Sequence, residues 1–286
     1  MHWSDQRAQR PDDGSGHVHQ RGVETLGDSL VLSAPYVVMV EQQPPGVDGS
    51  NAMPWCRLFL VSPQAPACDA AVTMAGPPRH RVALKPGTAL YMPANVRLHF
   101  FFPVGMRMIA WHFRLEWAPG VDACADLTRL VRRDLSASAY DELAGAVAGA
   151  EAGAIARARG AMLAIVGSFI EEPVADVARR LHARARFAGV LARIDERPDA
   201  GLSVSEMARS SGLGREAFSR RFRRDLGMTP REHLRRVLVR HACQRLIAGE
   251  AVAAVAEALG FSSPYWFSRF FKARLGVPPS AFGTLV

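Results

Sequence analysis

The spacing of apolar and polar positions divides the 286-residue chain into distinct parts. Residues 1–25 are polar and rich in turn-forming residues, a composition that buries too little apolar surface to order itself, so a flexible tail is predicted. Between residues 26 and 120, short β-branched and aromatic runs alternate with Pro, Gly and Asn breaks. This pattern predicts an antiparallel β sandwich or barrel.

Residues 121–185 have a different composition, rich in Ala, Leu, Arg and Glu. Apolar residues recur at helical spacing, at Leu127, Leu130 and Val131 and again within residues 162–170, which predicts a helical connector. A connector of this kind is a place for a dimer contact, although a helix that packs on its own sheet would show the same apolar stripe.

Residues 186–286 contain an internal repeat. The segment 218–230, FSRRFRRDLGMTP, recurs 49 residues later at 267–279 as FSRFFKARLGVPP. In both copies two Phe and one Leu recur at i, i+4 and i+8, which places them on one stripe of a helix that a Gly then ends. Each copy therefore predicts two short helices that cross at a tight turn, with the second helix at about residues 214–226 and 263–275.

Capping residues mark where these helices begin. Ser203 with Glu206 predicts a capping box in the first unit, and Ser263 precedes a Pro at the first helical position in the second. Between the units, Thr229 and Glu232 predict another capping box and a helix to about residue 248. That helix would be roughly 30 Å long, close to the ~34 Å of one DNA turn, which places two recognition helices within reach of successive major grooves.

Positive charge is concentrated in the same part of the chain. Residues 186–286 hold 17 Lys and Arg against 9 Asp and Glu, whereas residues 1–185 are balanced at 18 of each, so the formal net charge of +8 comes from the C-terminal part. A basic surface around two such helices favours binding to double-stranded DNA.

Other features argue against several classes of protein. The four cysteines, Cys56, Cys68, Cys124 and Cys243, are widely spread without a Cys-x-x-Cys pair, so reduced, buried thiols are predicted rather than a zinc site or a disulfide framework. No apolar run approaches the ~20 residues that cross a bilayer, and no signal peptide is recognisable. We therefore expect a cytoplasmic protein with no membrane partner, no metal and no cofactor.

The second repeat unit carries the most specific signal. Within residues 255–279, the elements VAE, GF, FSR and FK and the later Gly276 and Pro279 resemble the AraC/XylS family of transcription regulators. The resemblance covers about residues 186–284. One departure is Gly283, where the family often has Arg after an aromatic residue.

Family members pair this module with a sensor domain, and residues 85–99 resemble the cupin-like barrel strands of that sensor. The resemblance implies an α+β chain with a cupin-like β barrel at 26–120, a helical connector at 121–185 and an all-α double helix-turn-helix domain at 186–286. It also implies a DNA-binding activator that acts with RNA polymerase, forms a homodimer and responds to a small-molecule effector.

If Phe218 and Phe222 face the core, the opposite face of the first recognition helix is exposed. By resemblance, the base-reading residues are Glu216, Ser219 and Arg220 in the first helix and Tyr265, Ser268 and Arg269 in the second. The candidates for phosphate contacts are Arg215, Arg223, Arg224 and Lys272. The first helix is the more heavily charged, so we expect it to supply more of the salt-dependent affinity.

Three functions stay open for the N-terminal part. It could bind a small effector inside the barrel, respond to a partner protein or only dimerise without a ligand, or be a cupin-type metalloenzyme. His80, His99 and His112 are the candidate metal ligands, but they form no close His-x-His pair with a trailing Glu, so no enzyme activity is expected. The effector-binding residues stay unassigned, because aromatic residues there suit a pocket and a core equally.

Overall fold

The computed structural model describes a sheet domain followed by a helical domain, so the predicted α+β class is confirmed. The predicted tail at residues 1–25 and the departure at Gly283 lie outside the described residues. No helix in the described part of the chain is long and apolar enough to span a bilayer. The described residues are 30–41, 46–75, 79–118, 120–149 and 151–282.

The strands of the sheet domain pair into two antiparallel sheets. The first has the order β1-β8-β3-β6-β10, with β9 paired to β8, and the second has the order β2-β7-β4-β5. The chain therefore passes back and forth between the two sheets, as in other two-sheet β folds. The strands are β1 (Val31–Glu41), β2 (Val47–Asn51), β3 (Cys56–Val61), β4 (Ala71–Met74), β5 (His80–Ala83), β6 (Thr88–Met92), β7 (Leu98–Phe102), β8 (Arg107–Ala118), β9 (Val121–Asp122) and β10 (Val131–Asp134).

Strand β3 lies at the centre of the first sheet and is buried on both faces. Its side chains alternate between two cores, because successive residues of a strand point to opposite faces. Leu58 and Leu60 pack on the side of the helices, whereas Phe59 packs between the sheets. The ring of Phe59 lies 6.1 Å from that of Phe100 and 5.8 Å from that of Phe102. Aromatic side chains therefore fill space between the two sheets.

Two helices, α1 (Ala137–Ala148) and α2 (Ala152–Gly167), cover the outer face of the first sheet. Leu143 of α1 and Met162 and Val166 of α2 are fully buried and share one core with the strands. Helix α3 (Val174–Ala185) then leads towards the C-terminal domain and contacts β8 and β9.

The helical prediction for residues 127–131 is wrong, because β10 begins at Val131 and pairs with β6. Leu130 packs in the core between the sheets, whereas Val131 packs on the side of the helices. Neighbouring apolar residues thus serve opposite faces of the sheet, a pattern that a short window does not distinguish from helical spacing. The sheet domain accordingly continues beyond residue 120, as far as Asp134.

The C-terminal domain consists of helices. Helices α5 and α6 form the first helix-turn-helix unit, α8 and α9 form the second, and α7 connects them. The Phe residues of both predicted apolar stripes are buried, while Leu226 at the end of the first stripe is half-buried. The rings of Phe218 and Phe222 lie 5.8 and 5.1 Å from that of Phe187. The helices are α4 (Ala188–Glu196), α5 (Val204–Ser210), α6 (Arg215–Leu226), α7 (Pro230–Ile247), α8 (Val252–Ala258), α9 (Pro264–Leu275) and α10 (Pro279–Phe282).

The capping box of Ser203 and Glu206 is confirmed, with both reciprocal hydrogen bonds present. At the start of α7 only half of the predicted box forms: the Thr229 hydroxyl accepts a hydrogen bond from the amide of Glu232 at 3.2 Å. The carboxylate of Glu232 instead accepts two hydrogen bonds from Arg274 of α9, each 2.9 Å long. Such a forked, charge-assisted pair is stronger than one bond to a neutral amide, so Glu232 connects the linking helix to α9.

Glu232→Gln should lower the free energy of unfolding by about 1 to 2 kcal/mol, because the substitution removes the charge of a partly buried forked pair. Burial raises the pKa of Glu232, but hydrogen bonds and charge from Arg274 outweigh burial, so the pKa lies below its ordinary value. Because the pKa of Glu232 is lower in the folded protein, this group stabilises the fold at pH values above its unfolded pKa of ~4.3. That stabilisation is lost as the pH falls through the folded-state pKa.

Urea denaturation of the wild type and of the variant, at neutral pH and at a series of acidic pH values, measures this difference. The matched control is Glu250→Gln, which removes the more exposed pair with Arg245 and should cost less than about 0.5 kcal/mol. Equal effects of the two substitutions, or a difference that does not shrink in acid, would contradict the assigned role of Glu232.

Candidate nucleic-acid interface

The two recognition helices begin and end close to the positions that the sequence predicts. Helix α6 follows Gly214, and Gly227 ends it in a left-handed conformation with φ of 71°. Helix α9 starts after Ser263, whose hydroxyl accepts a hydrogen bond from the amide of Trp266 at 3.3 Å, and Gly276 ends it with φ of 86°. A side chain with a Cβ is strained at such φ values, so glycine is required for both ends.

The predicted DNA-contacting side chains lie away from the core on both helices. In α6, Glu216 and Arg220 are exposed and Ser219 is half-buried, while Phe218 and Phe222 on the opposite face are buried. The Ser219 hydroxyl donates to the carbonyl of Arg215 at 2.8 Å, which leaves its oxygen as an acceptor. The predicted phosphate contacts Arg215, Arg223, Arg224 and Lys272 are all exposed.

The second recognition helix presents an aromatic platform. Tyr265 is 63% exposed and Trp266 is 52% exposed. The guanidinium of Arg269 lies 5.8 Å from the ring centroid of Tyr265 and 5.2 Å from that of Trp266. Stacking of this kind restrains the guanidinium before it meets a ligand. Ser268, one turn after Tyr265, is half-buried beside them.

Trp266 was missed by sequence reasoning. Its counterpart in the first copy is Ala217, so the repeat itself offered no reason to assign it a role. One feature of the sequence could have identified Trp266: it is an additional aromatic residue that lies outside the buried Phe stripe of an amphipathic helix. Two adjacent exposed aromatic residues are suited to stacking and to apolar contact with base edges, in particular the thymine methyl group.

Arg224 differs from the other phosphate candidates because it has a partner within the protein. Its Nε lies 2.7 Å from Oδ1 of Asp225, and the other oxygen, Oδ2, lies 3.3 Å from Arg186. The hydrogen bond from Arg224 lowers the pKa of Asp225, so this carboxylate is ionised at neutral pH. Arg224 therefore lies towards the boundary between the two domains as well as on α6.

The C-terminal end of the second recognition helix, α9, rests on the sheet domain. The amide of Ala52 donates to the carbonyl of Leu275, the last residue of α9, at 3.1 Å. Ala52, Met53 and Trp55 are buried in the core of the DNA-binding domain rather than in either sheet core. The guanidinium of Arg97 lies against the backbone of Gly276, where a Cβ would come within 2.8 Å of it.

A cavity of about 910 Å³ separates the sheet domain from the end of α6. One wall is formed by residues 93–96 and 120–128 of the sheet domain, and another by residues 224–228 of the helical domain. His233 also lines it, and burial lowers the pKa of this imidazole to about 4, so it is neutral at physiological pH. Its Nε2 atom has no hydrogen-bond partner within the described residues.

The three histidines considered as metal ligands are divided between the sheets. His80 and His99 belong to strands of the second sheet and His112 to the first. His99 is occupied by Asp48, 3.3 Å from its Nε2, and by Ser50. In the part of the chain that the structure describes, the close group of metal-ligating side chains contains none of these histidines.

Comparisons with known proteins agree with this architecture. Residues 207–284 match the family model described as the helix-turn-helix domain. The MmsAB operon regulatory protein of Pseudomonas aeruginosa is 33% identical over 95 residues, which are 33% of this chain and 31% of that protein. The chain thus spans about a third of the length of this curated relative.

Solved structures of ToxT from Vibrio cholerae share the fold over most of the chain. One, bound to (E)-4-(8-methylnaphthalen-1-yl)but-3-enoic acid, has a TM-score of 0.58 at 11% identity and covers 90% of this chain and 99% of its own. Another, of strain SCE256 with a bound unsaturated fatty acid, has a TM-score of 0.58 at 10% identity and covers 90% and 96%.

The doubled motif, the buried Phe stripes and the matched family model define the C-terminal part as a helix-turn-helix DNA-binding domain. Two helix-turn-helix units joined by one long helix are the arrangement that the resemblance of residues 186–284 to the AraC/XylS family implies.

Arg220→Ala and Arg269→Ala should each lower affinity for the specific DNA site by about 1 to 3 kcal/mol and relax the preference at one base pair. The reason is that each guanidinium lies on the exposed face of a recognition helix and can bind guanine O6 and N7. Binding titrations against a panel of single-base variants of the site measure both effects.

Arg129→Ala is the matched control, since Arg129 is an exposed Arg of the sheet domain. It should change neither affinity nor base preference. If Arg220→Ala weakens binding equally for every site variant, Arg220 contacts phosphate and is not a base-reading residue.

Proposed function

We propose that the protein is a sequence-specific transcription regulator of the cytoplasm that inserts α6 and α9 into successive major grooves of DNA. The observation that carries this proposal is the pair of recognition helices held on one scaffold by α7. With 18 residues, α7 is roughly 27 Å long. This length is of the order of one DNA turn, ~34 Å.

The chemistry of the two faces suits this role. Arg220 and Arg269 can bind guanine edges, Glu216 can accept from cytosine, and the serines can bind either kind of edge. The exposed cations of the two helices supply phosphate contacts that set register and affinity. We do not propose a catalytic role for the protein, because its assigned side chains serve recognition.

We further propose that a small molecule in the cavity between the domains controls DNA binding. Sequence reasoning placed such an effector inside the barrel, but Phe59, Phe100 and Phe102 pack against one another between the sheets. The interdomain cavity is large enough for a ligand of metabolite size. The unpartnered Nε2 of His233 offers a hydrogen-bonding atom at its wall.

The charges at the cavity indicate what kind of molecule it would hold. Four arginines line it, and each lies within 4.0 Å of a carboxylate of the protein. Asp122 and Asp126 line the same cavity, so positive charge does not dominate its wall. We therefore propose a neutral effector of mixed polarity. The pairs are Arg179 with Asp176, Arg180 with Glu172, Arg224 with Asp225 and Arg236 with Glu232.

The position of the cavity supplies a route from effector to DNA. Its wall includes the C-terminal end of α6, while α9 is fastened to the sheet domain through Leu275 and Ala52. A molecule that binds there with different affinity in two arrangements of the domains shifts α6 relative to α9. Because both helices must match one DNA turn, such a shift changes affinity for DNA.

We also propose that the protein forms a homodimer, contacts RNA polymerase and activates transcription. These three proposals rest on the family resemblance. For the dimer we favour helices α1 and α2, where Ile155 is 58% exposed.

A genomic binding map followed by footprinting tests the DNA-binding proposal. The expected result is an enriched sequence with two protected segments about 10 base pairs apart on one face of the duplex. Protection of a single segment would contradict the insertion of both helices. Binding without any enriched sequence would overturn sequence-specific regulation.

A thermal-shift screen with neutral metabolites tests the effector. A ligand at about 100 times its Kd should add about 2.7 kcal/mol to the stability of the folded protein and raise its Tm. The control variant is Ala125→Phe, which fills the cavity from an exposed position in its wall. It should abolish the shift, and a shift that it leaves unchanged places the ligand elsewhere. If no compound raises the Tm, the partner-controlled or ligand-independent alternative is favoured.

A further inference from the structure

Four chemically reactive side chains meet at one wall of the interdomain cavity. Cys56 begins β3, Tyr91 lies in β6, Asp122 ends β9, and Cys124 follows in the next turn. The Sγ atoms of the two cysteines and a carboxylate oxygen of Asp122 all lie within 4.8 Å of one another. Both cysteines are buried and neither forms a disulfide. None of these residues belongs to the DNA-binding surface.

We propose that Cys56, Cys124 and Asp122 bind one Zn²⁺ ion, with a fourth coordination position open to the cavity. Two thiolates and one carboxylate are a donor set that zinc uses in proteins, and three protein ligands with one open position is a known arrangement. In a tetrahedral zinc site such donor atoms lie about 3.5 to 3.8 Å apart. Because the three atoms already lie within 4.8 Å of one another, they need to approach by at most about 1.3 Å, which rotation of the side chains can supply.

Hydrogen bonds hold the donors in place. The amide of Cys124 donates to Oδ1 of Asp122 at 2.8 Å, which orients the carboxylate and leaves its other oxygen for a metal. The hydroxyl of Tyr91 lies 3.2 Å from the Sγ of Cys56. A phenol at this distance can donate to a thiolate, as outer partners of metal ligands commonly do.

The local charge is compatible with a bound ion. On binding, each thiol loses its proton to solvent, so one Zn²⁺ replaces two protons and two S–H bonds become two Zn–S bonds. With ionised Asp122, the loaded cluster carries one net negative charge. Arg180 donates to the carbonyl of Asp122 at 2.8 Å, which places its guanidinium beside the cluster. Arg114 acts on Asp122 with the same sign and Glu116 with the opposite sign, so the two arginines offset part of the negative charge.

The donor set discriminates among metals. Mg²⁺ and Ca²⁺ require oxygen ligands throughout, and Cu⁺ selects soft sulfur ligands without a carboxylate. A mixture of two thiolates with one carboxylate is best matched by Zn²⁺, a borderline ion without a fixed geometric preference. The turn that carries Asp122 and Cys124 continues into residues 125–128 of the cavity wall, so zinc would fasten this wall to β3.

Metal titration of the full, untagged chain tests the proposal under reducing conditions after removal of metal with a chelator. Zn²⁺ in competition with a chromophoric chelator should bind at one ion per chain, and Co²⁺ should give thiolate-to-metal charge-transfer absorption. Cys56→Ser and Cys124→Ser should each weaken binding at least about tenfold and diminish this absorption. Cys68→Ser is the control, because this half-buried cysteine lies outside the cluster, and it should leave both readouts unchanged.

X-ray absorption of the zinc-loaded wild type tests the site without any substitution, so it does not depend on whether the serine variants fold. Two sulfur ligands per zinc are expected. A zinc shell of only nitrogen and oxygen atoms, absence of stoichiometric binding, or Co²⁺ absorption that survives Cys56→Ser in a folded protein would overturn the site. These measurements need no DNA, so they succeed or fail independently of the proposed regulatory function.

Discussion

The constraint on which the rest of the structure depends is the fixed separation of the two recognition helices. Helix α7 packs into the same core as both helix-turn-helix units, and its buried side chains oppose large movements of one unit against the other. The fork between Glu232 and Arg274 adds a polar connection from the start of α7 to α9. In the proposed complex with DNA, a rigid separation lets the binding energies from two grooves add without a large loss of conformational entropy.

The same rigidity makes the sheet domain relevant to DNA binding. Because Leu275 and Gly276 touch the sheet domain directly, α9 cannot tilt without disturbing residues 52–55 or Arg97. The end of α6, by contrast, borders a cavity. Contacts with the sheet domain hold α9, whereas open space lies beside the end of α6. In the proposed regulation, a bound molecule uses this asymmetry to change slightly the relative position of the two helices.

Much of the candidate site followed from the sequence, because helix periodicity and capping are local. The Phe stripe identified the buried face, and the exposed face followed from it for Glu216, Arg220 and Arg269. Local reasoning failed where a residue had two competing partners. Glu232 was assigned to a capping box, but a guanidinium 42 residues away in sequence attracts its carboxylate more strongly. Trp266 gained its importance only from its contact with Arg269.

The sequence by itself determined the class of the C-terminal domain, the ends of its recognition helices and the sign of its charge, since a repeat, glycine conformations and residue counts need no knowledge of distant contacts. Only the tertiary structure decided that β10 completes a sheet, that a cavity lies between the domains, and that Cys56 meets Cys124. The physical reason is that these features join segments far apart in the chain, and their energies depend on burial and distance, which spacing along the sequence does not encode.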